Sequence, residues 1–405
     1  MSSSFKNPAS ASLDSGTFDF DTLVDRTEAG SSKWLKMHRD CPHVADGIIP
    51  YSVADMEFLN APQITEGLKE FLDGNILGYT KPNEAYKAAV VHWLQKRHNW
   101  QIQSKWILNT AGVVPALYHC VRTFTAEGDG VIVMPPVYYP FFTAVTNAKR
   151  KLVRNPLINK NGHWEIDFDD LEQKVKDPKN KVLLFCSPQN PTGRVWSRDE
   201  LVRVGRICID NNVLIFSDEI HFDIVMPPHK HTVFASISDE LAQNSIVCTS
   251  ASKTFNIAGL LLAYAIIPND TLRRKFRIEY ENIYSEMAQP IMGFKALELA
   301  YTRSESWLDA LLKKIAENDA ALRRIFVQEL PQVFITKLEA TFLPWMDFSA
   351  FKLTDDEIDR RMLSADAFLD GGTMFGPEGS GFQRINIGCP TRYIEQVALR
   401  IAAKF

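Results

Sequence analysis

The residue with the clearest chemical potential is Lys253, which stands among small and apolar residues. Residues 246–256 read IVCTSASKTFN, an apolar run typical of a buried strand followed by a turn that contains the lysine. Apolar surroundings disfavour an ammonium group, so they lower the pKa of a lysine. Such a lysine is an amine nucleophile that can form a Schiff base with an aldehyde. A strand-end lysine that reaches solvent is the alternative interpretation.

Asp218 ends a second apolar run, which reads VLIFS at residues 213–217. In α/β sheets, ligands bind beyond the carboxyl ends of the strands. A carboxylate at that place can pair with a protonated ring nitrogen and hold the positive charge that makes a pyridine ring attract electrons. A helix N-cap or a surface acid is the alternative.

Asn190 lies in a loop, SPQNPTGR at residues 187–194, that also follows an apolar strand. Proline and glycine fix an irregular loop there, and the asparagine amide can both donate and accept hydrogen bonds near a ligand. The helix that follows begins with an S-x-x-E capping box at Ser197 and Glu200. We therefore favour a ligand-binding loop over a plain turn.

Gly112 marks a candidate phosphate site, because it precedes a helix within the sequence TAGVV at residues 110–114. Free backbone N–H groups at a helix start suit a phosphate. The hydroxyl groups of Ser250 and Ser252 can supply further donors to the same phosphate. A simple strand–helix turn is the alternative explanation of this glycine.

Arg384 interrupts an apolar strand that reads FQRINIG at residues 382–388. A pKa shift cannot neutralise an arginine, so a buried arginine requires an anionic partner. A substrate carboxylate held by two parallel hydrogen bonds would satisfy it. An internal salt bridge is the structural alternative.

The elements that must position these residues follow an alternating pattern. Continuous apolar strands between amphipathic helices predict an α/β fold with a mostly parallel central sheet covered on both faces. The predicted strands are residues 131–134, 151–153, 182–186, 213–216, 246–248 and 263–267.

We predict two domains and an N-terminal segment. Residues 62–294 form the large domain and residues 295–405 a smaller α+β domain, with strands at 333–338, 340–347 and 382–387, a helix at 355–369 and a break at Gly371-Gly372. Residues 18–61 lack a covering partner of their own and are expected to join the small domain. Residues 1–17 are rich in small polar residues and are expected to be a disordered arm.

Bulk properties exclude several classes of protein. A net charge of −4 and a pI near 6.2 argue against a nucleic-acid or anionic-membrane surface. No apolar run is long enough to span a bilayer. Residues 1–7 lack a charged-then-apolar pattern, so we expect no export leader. None of the six cysteines forms a C-x-x-C pair. The sequence predicts a cytoplasmic protein with free thiols and no metal site.

Three further histidines receive structural interpretations. His119 lies on an apolar helix and is predicted to be a hydrogen-bonded core residue. His229 and His231 flank a lysine after two prolines, with no acid or cysteine at ligand spacing. We predict that both lie in a solvated loop.

Taken in chain order, these features resemble the fold-type I pyridoxal-phosphate enzymes of the aspartate aminotransferase fold. More narrowly, the chain resembles the cystathionine β-lyase/cystalysin group of C–S lyases, from about residue 18 onward. The narrower resemblance rests on the motifs VADMEF at 53–58, GYT at 78–80, PVYYPF at 136–141, CSPQNPTGRVW at 186–196, DEIH at 218–221 and SKTFNIAGL at 252–260.

The resemblance implies a pyridoxal 5'-phosphate cofactor and a role for each matching residue. Lys253 would attach the cofactor, Asp218 would pair with its ring nitrogen, and Tyr138 would stack on the ring. Asn190 would contact the ring hydroxyl side and the substrate. Arg384 would bind the substrate α-carboxylate.

The implied phosphate contacts come from two subunits. Gly112, Val113, Ser250 and Ser252 would hold the phosphate from one subunit. Tyr79 would reach the phosphate of the neighbouring subunit, which implies a homodimer with a shared active site.

Two departures from the broader aminotransferase pattern favour the lyase group. His221 stands where aminotransferases have a tyrosine on the ring hydroxyl, and no arginine occurs in the turn AGLL at 258–261. Glu57 stands where the lyase motif commonly has aspartate, which is a mild departure.

The implied reaction is a β-elimination on cystathionine or another S-substituted cysteine, giving a thiol, pyruvate and ammonia. Lys253 would remove the Cα proton, and Lys253 or Tyr139 would protonate the leaving thiol. An aminotransferase is the main alternative, since it would use the same lysine and aspartate. A non-catalytic, cofactor-binding regulatory protein is a further alternative, against which the intact lysine, aspartate and arginine argue.

Overall fold

The computed structural model describes residues 18–284 and 289–405, so the predicted arm at residues 1–17 lies outside the described part. The strands are β1 (Ile107–Thr110), β2 (Gly130–Val133), β3 (Lys151–Arg154), β4 (Ile158–Lys160), β5 (His163–Glu165), β6 (Asn180–Cys186), β7 (Leu214–Asp218), β8 (Ser245–Thr249), β9 (Ala263–Ile266), β10 (Phe334–Ile335), β11 (Trp345–Asp347), β12 (Asp370–Gly371) and β13 (Phe382–Arg384).

The helices occupy the segments between these strands and both ends of the chain. They are α1 (Ser32–Asp40), α2 (Pro62–Gly74), α3 (Glu84–His98), α4 (Val113–Phe124), α5 (Pro140–Asn147), α6 (Phe168–Lys174), α7 (Arg198–Asp210), α8 (Asp239–Gln243), α9 (Ala251–Thr254), α10 (Asp270–Tyr284), α11 (Ile291–Arg303), α12 (Glu305–Glu329), α13 (Asp355–Ser364) and α14 (Thr391–Ala402).

The large sheet has the strand order β1-β9-β8-β7-β6-β2-β3. The ladders that join β8, β7, β6, β2 and β3 are parallel, whereas β9 runs antiparallel to both β1 and β8. Val182 and Leu184 pack into one apolar core, and Leu183 and Phe185 pack into another on the opposite face. The predicted α/β fold with a mostly parallel sheet, covered on both faces, is confirmed.

The capping box predicted before α7 is present. The Ser197 side chain accepts a hydrogen bond from the backbone N–H of Glu200, and the Glu200 side chain accepts one from the backbone N–H of Ser197. The helix then buries Leu201, Val204 and Cys208, as its apolar spacing predicts. This start fixes where the preceding loop, with Asn190, must end.

The small sheet is antiparallel, with the order β10-β11-β13-β12. Its strands are shorter than predicted, and the helix predicted at 355–369 ends at Ser364. Asp366 has a φ of 49°, a left-handed conformation that cannot continue a helix. The predicted glycine break is partly wrong, because Gly371 pairs with Gln383 in β12.

The N-terminal segment bonds to the C-terminal part of the chain. The Tyr51 N–H donates to the Phe368 carbonyl at 3.0 Å, and the Asn386 N–H donates to the Tyr51 carbonyl at 2.8 Å. The Glu57 N–H donates to the Gly388 carbonyl at 2.7 Å. These bonds join the N-terminal segment to the C-terminal part of the chain, and the assignment of residues 18–61 to the small domain stays a prediction.

Candidate active site

A cavity of about 480 Å³ opens beyond the carboxyl ends of β6 and β7. Parallel strands place their following residues at one edge of a sheet, which is where α/β folds bind ligands. The sequence-predicted residues that line the cavity are Gly112, Val113, Tyr138, Tyr139, Asn190, Asp218, His221, Ser252, Lys253 and Arg384.

Asp218 is the last residue of β7 and lies between the ends of two neighbouring strands. Its backbone pairs with Cys186 of β6 and with Cys248 of β8. Burial raises the pKa of its carboxyl to about 7, although the Ile220 N–H donates to Oδ1 at 3.1 Å. A cation placed against this carboxylate would favour its ionised form. A protonated ring nitrogen therefore fits the position.

Lys253 lies on α9 and lines the same cavity. Its Nζ donates to the Ala54 carbonyl at 2.7 Å. Burial lowers the pKa of the amine to about 8, because removal from water disfavours the ammonium. The sequence-based interpretation of Lys253 as a lysine with a lowered pKa thus agrees with its surroundings.

Arg384 has an internal partner that sequence reasoning left as the alternative. Its Nη2 pairs with Oδ2 of Asp370 at 2.5 Å, and its Nη1 donates to Oδ1 of Asn190 at 2.9 Å. The Nε of this buried arginine has no partner among the described residues. Asp370 also lines the cavity. The Nε–H of the guanidinium therefore stays available for an anion, while Asp370 and Asn190 hold the two Nη atoms in place.

The start of α4 forms a cradle suited to phosphate. Gly112 has a φ of +142°, and a Cβ at this position would lie 3.2 Å from Cδ of Pro115. No side chain caps the helix, so N–H groups of its first turn lack a capping partner. Val113 and Val114 of this turn line the cavity together with Ser252. The chemistry of this donor set fits the phosphate of the cofactor.

Two of the predicted phosphate contacts do not line the cavity. The Ser250 hydroxyl donates to the Leu262 carbonyl at 2.6 Å and accepts from the Ser252 N–H at 3.0 Å. It orients the turn that carries Lys253. Tyr79 is 87% exposed on the surface. The roles given to these two residues stay predictions.

Three ring side chains line the remaining wall. Tyr138 and Tyr139 meet edge to face, with 5.0 Å between ring centroids. Burial raises the pKa of the Tyr138 hydroxyl. Burial, together with Lys253 and Arg384, lowers the pKa of His221 to about 3, so its imidazole is neutral near pH 7. The Nδ1 of His221 is buried and has no partner among the described residues, which leaves it available to a ligand.

Residues 53–56 connect two sides of the cavity, which Val53 and Ala54 line. The Val53 N–H donates to Oδ2 of Asp370 at 3.1 Å, and the neighbouring Ala54 carbonyl accepts from Lys253. Asn386 donates to the carbonyls of Val53 and Asp55, both at 2.7 Å. The segment thus connects Lys253 on α9 with the side of the site that carries Arg384.

A charged cluster that sequence reasoning missed anchors this segment. Lys33 pairs with Glu57 at 2.6 Å, and both side chains are 1% exposed. Arg26 pairs with Asp55 at 2.6 Å and with Glu57 at 3.1 Å. The glutamate that departs from the usual lyase motif also accepts from Nε1 of Trp34 at 3.1 Å. Its longer side chain therefore has three partners here.

The prediction of a solvated loop is wrong for His231. Its Nε2 lies 2.6 Å from Oε2 of Glu219, and the two side chains are 3% and 0% exposed. His119 is buried as predicted, with Nε2 2.8 Å from the Phe276 carbonyl. No spacing signal joins His231 to Glu219, because the loop between them brings the two together only in the fold.

Asp223 forms a second buried network behind the site. Its carboxylate accepts from Oγ1 of Thr254 at 2.9 Å and from Nε1 of Trp93 at 3.2 Å. Nε2 of His98 lies 2.7 Å from its Oδ1. Because Thr254 directly follows Lys253, Asp223 ties the lysine turn to the loop after β7. The sequence offered no signal for this pairing.

Residues 47–401 match the family described as aminotransferase class I and II. The chain belongs to the aminotransferase class I and II family. The match spans the cavity-lining residues of both sheets.

Relatives within this family include named C–S lyases. The chain is 42% identical over 386 residues to cystathionine β-lyase PatB of Bacillus subtilis, covering 95% of this chain and 99% of that protein. It is 44% identical to cystalysin of Treponema denticola, whose crystal structure contains pyridoxal 5'-phosphate, with a TM-score of 0.94 and coverage of 96% and 98%. The PLP-bound C–S lyase of Staphylococcus hominis is 30% identical, with a TM-score of 0.87 and the same coverage.

The Asp223 network predicts a stability effect next to the lysine. Replacement Thr254→Val keeps the side-chain shape but removes one donor from a buried carboxylate. We expect the free energy of unfolding, measured by urea denaturation, to fall by about 1–3 kcal/mol. Thr302, an exposed threonine whose hydroxyl donates to the Glu298 carbonyl at 2.6 Å, provides the control. A Thr254→Val variant as stable as Thr302→Val would contradict the proposed anchoring.

The lowered pKa of Lys253 predicts how the cofactor-free protein reacts with pyridoxal phosphate. Only the neutral amine is nucleophilic, and its fraction rises as the pH passes through about 8. The rate, followed by the visible absorbance of the bound cofactor, should increase with pH and level off above about pH 9. A rate that keeps rising to about pH 10.5, the range of an ordinary lysine, would contradict the assignment.

Proposed function

We propose that this protein is a pyridoxal-phosphate-dependent carbon–sulfur β-lyase. It cleaves cystathionine or other S-substituted cysteines, with one water, to a thiol, pyruvate and ammonia. The observation that carries the proposal is the meeting of Lys253, Asp218 and Arg384 in one cavity of a chain that is 42% identical to a cystathionine β-lyase. When bound, pyridoxal phosphate supplies an electron-withdrawing ring that stabilises negative charge at the substrate Cα.

Cofactor binding would use residues at the carboxyl edge of the large sheet. Lys253 would attach the cofactor, Asp218 would pair with its ring nitrogen, and Tyr138 would contact the ring. The neutral imidazole of His221 and the amide of Asn190 would contact the hydroxyl side. The first turn of α4, from Val113, would hold the phosphate together with Ser252.

Substrate binding and proton transfer use Arg384, Lys253 and Tyr139, which line the same cavity. Arg384 binds the α-carboxylate, and its bond to Asn190 links the substrate to the ring side of the site. Lys253, whose pKa is close to neutral, accepts the Cα proton as a general base. Lys253 or Tyr139 then returns a proton to the leaving sulfur. Tyr139 suits this role because it is 44% exposed at the cavity wall, where the thiol must leave.

A homodimer completes the site in this proposal. Tyr79 is 87% exposed, and Ile76 and Leu77 beside it are 90% and 60% exposed. A run of exposed apolar side chains marks a surface that a partner covers. We propose that the partner's copy of this segment places its tyrosine at the phosphate. We also propose a cytoplasmic location. Among residues 18–284 and 289–405, every helix is too short or too polar to span a membrane.

The reaction products test the proposal. Holoenzyme incubated with cystathionine should release thiol and pyruvate in equal amounts without added 2-oxoglutarate. Lys253→Ala should abolish pyruvate release and the visible absorbance of the bound cofactor, because the general base and the attachment point are both lost. Lys69→Ala is the control, since that lysine is 67% exposed on α2 and pairs with Glu66 at the surface.

Two outcomes would contradict this assignment. Glutamate formation that requires 2-oxoglutarate and releases no thiol would identify an aminotransferase instead. Retention of either the turnover or the absorbance by Lys253→Ala would show that another residue holds the cofactor.

A further inference from the structure

A second buried carboxylate follows Asp218 directly in the chain. Glu219 is fully buried, and it does not line the active-site cavity. A carboxylate removed from water is costly unless hydrogen-bond donors or a cation compensate its charge. The position of Glu219 next to Asp218 therefore requires a compensating set of contacts.

Several donors hold Glu219 in place. Its Oε1 accepts from the Phe234 N–H and from the Ser217 hydroxyl, both at 2.9 Å. Its Oε2 lies 2.6 Å from Nε2 of His231. The Thr249 hydroxyl donates to its backbone carbonyl at 2.9 Å. Hydrogen bonds of this kind stabilise the charged form of a carboxylate.

The extended chain at the end of β7 places Asp218 and Glu219 on opposite sides. Successive side chains of an extended segment point to opposite faces. Ser217 and Glu219 bond to each other on one face, whereas Asp218 lines the cavity on the other. The Glu219 N–H also donates to the Cys248 carbonyl at 2.8 Å, which fixes the backbone against β8. Glu219 therefore stands directly behind the carboxylate that faces the cavity.

The negative charge of Glu219 acts on Asp218 across this short separation. Burial raises the pKa of the Asp218 carboxyl, and the charge of Glu219 raises it further. The amine of Lys253, on α9, acts in the opposite direction. A like charge behind Asp218 makes the end of β7 more negative, which favours a proton or a cation at the cavity side.

Other titratable groups surround Asp218. Cys186 and Cys248 flank it on the neighbouring strands, and burial raises the pKa of both thiols, so they are protonated near pH 7. The imidazole of His221 in the cavity is neutral. The charge of Glu219 is therefore a neighbouring negative charge that a substitution can remove without altering the cavity lining.

A second histidine–carboxylate pair adjoins the first. The rings of His98 and His231 meet edge to face, with 6.0 Å between their centroids. Nε2 of His98 lies 2.7 Å from Oδ1 of Asp223, and the two side chains are 5% and 0% exposed. The Asp223 carboxylate accepts from Thr254 and not from the chain next to Asp218. This pair matches Glu219–His231 in composition and burial and provides a control.

We propose that Glu219 and His231 are positioning residues of the proposed lyase that strengthen the hold of Asp218 on the proton of the cofactor ring nitrogen. His231 holds the carboxylate of Glu219, whose charge favours a protonated ring against Asp218. A protonated ring withdraws electrons more strongly and stabilises negative charge at the substrate Cα. The inference rests on the proposed function for its chemistry, whereas Glu219 acts on Asp218 with or without the cofactor.

The cofactor-free protein tests this coupling without turnover. The protonated Asp218 carboxyl has an infrared band that Asp218→Asn removes, and the loss of the band with rising pH reports the pKa of this carboxyl. In Glu219→Gln the band should disappear roughly one pH unit lower than in the wild type, because the like charge is gone. Glutamine can still accept from the Phe234 N–H and can donate to Nε2 of the other His231 tautomer.

Three further variants separate this charge effect from a loss of packing. Asp223→Asn should leave the Asp218 band at the wild-type pH. His231→Gln keeps a donor near Oε2 of Glu219 and should not lower that pH. The double variant Glu219→Met/His231→Leu leaves no uncompensated charge buried and should shift the band downward as Glu219→Gln does. It takes the place of Glu219→Gln if urea denaturation shows that the single variant is unfolded.

The holoenzyme gives a second readout. With cystathionine as substrate, Glu219→Gln should lower kcat for pyruvate formation by up to about tenfold, the rate equivalent of one pH unit. KM should change little, because Arg384 and the cavity lining stay the same.

An Asp218 band that disappears at the wild-type pH in both Glu219→Gln and the double variant would overturn the inference and leave the lyase function intact. Equal shifts in Asp223→Asn and Glu219→Gln would also reject it, because the effect would then belong to either buried pair. A wild-type enzyme that forms no thiol and pyruvate from cystathionine would overturn the lyase function itself, whatever the band of the cofactor-free protein does.

Discussion

A carboxylate at the buried end of a central strand is the constraint on which the site depends. Asp218 lies between the ends of two apolar strands, and burial raises the pKa of its carboxyl to about 7. A buried carboxylate is stable in its charged form only beside a cation or several donors. The cavity in front of it has space for a ring that brings such a cation. The carboxylate of Asp218 and the amine of Lys253 line this same cavity.

The rest of the architecture holds these groups in register. The parallel order of the large sheet delivers Asp218 and the Asn190 loop to one edge. The segment at residues 53–56 crosses that edge and joins Lys253, through the Ala54 carbonyl, to the side that carries Arg384. The buried Lys33–Glu57 pair fixes the segment. Because removing one member of a buried ion pair leaves an uncompensated charge, this anchoring is strongly specified.

The sequence predicted the parts of the site that follow from local patterns. Apolar runs located the strands before Asp218 and Lys253, and the capping box at Ser197 located the start of α7. Pairings between distant residues carry no such pattern. The sequence predicts that Arg384 needs an anion, but it does not identify Asp370 as the partner. The two residues meet because β12 pairs with β13. The prediction of a solvated loop at His231 is wrong for the same reason. Its partner Glu219 lies twelve positions earlier in the chain, and the two meet only in the folded protein.

Infrared difference spectroscopy of the Asp218 carboxyl, assigned by the loss of its band in an Asp218→Asn variant, tests the central claim most directly. In the cofactor-free protein the protonated carboxyl band should disappear as the pH rises through about 7. With pyridoxal phosphate bound, the carboxylate should already be ionised at about pH 6, because a protonated ring nitrogen lowers its pKa. A protonated carboxyl that persists at that pH with the cofactor bound would contradict the account.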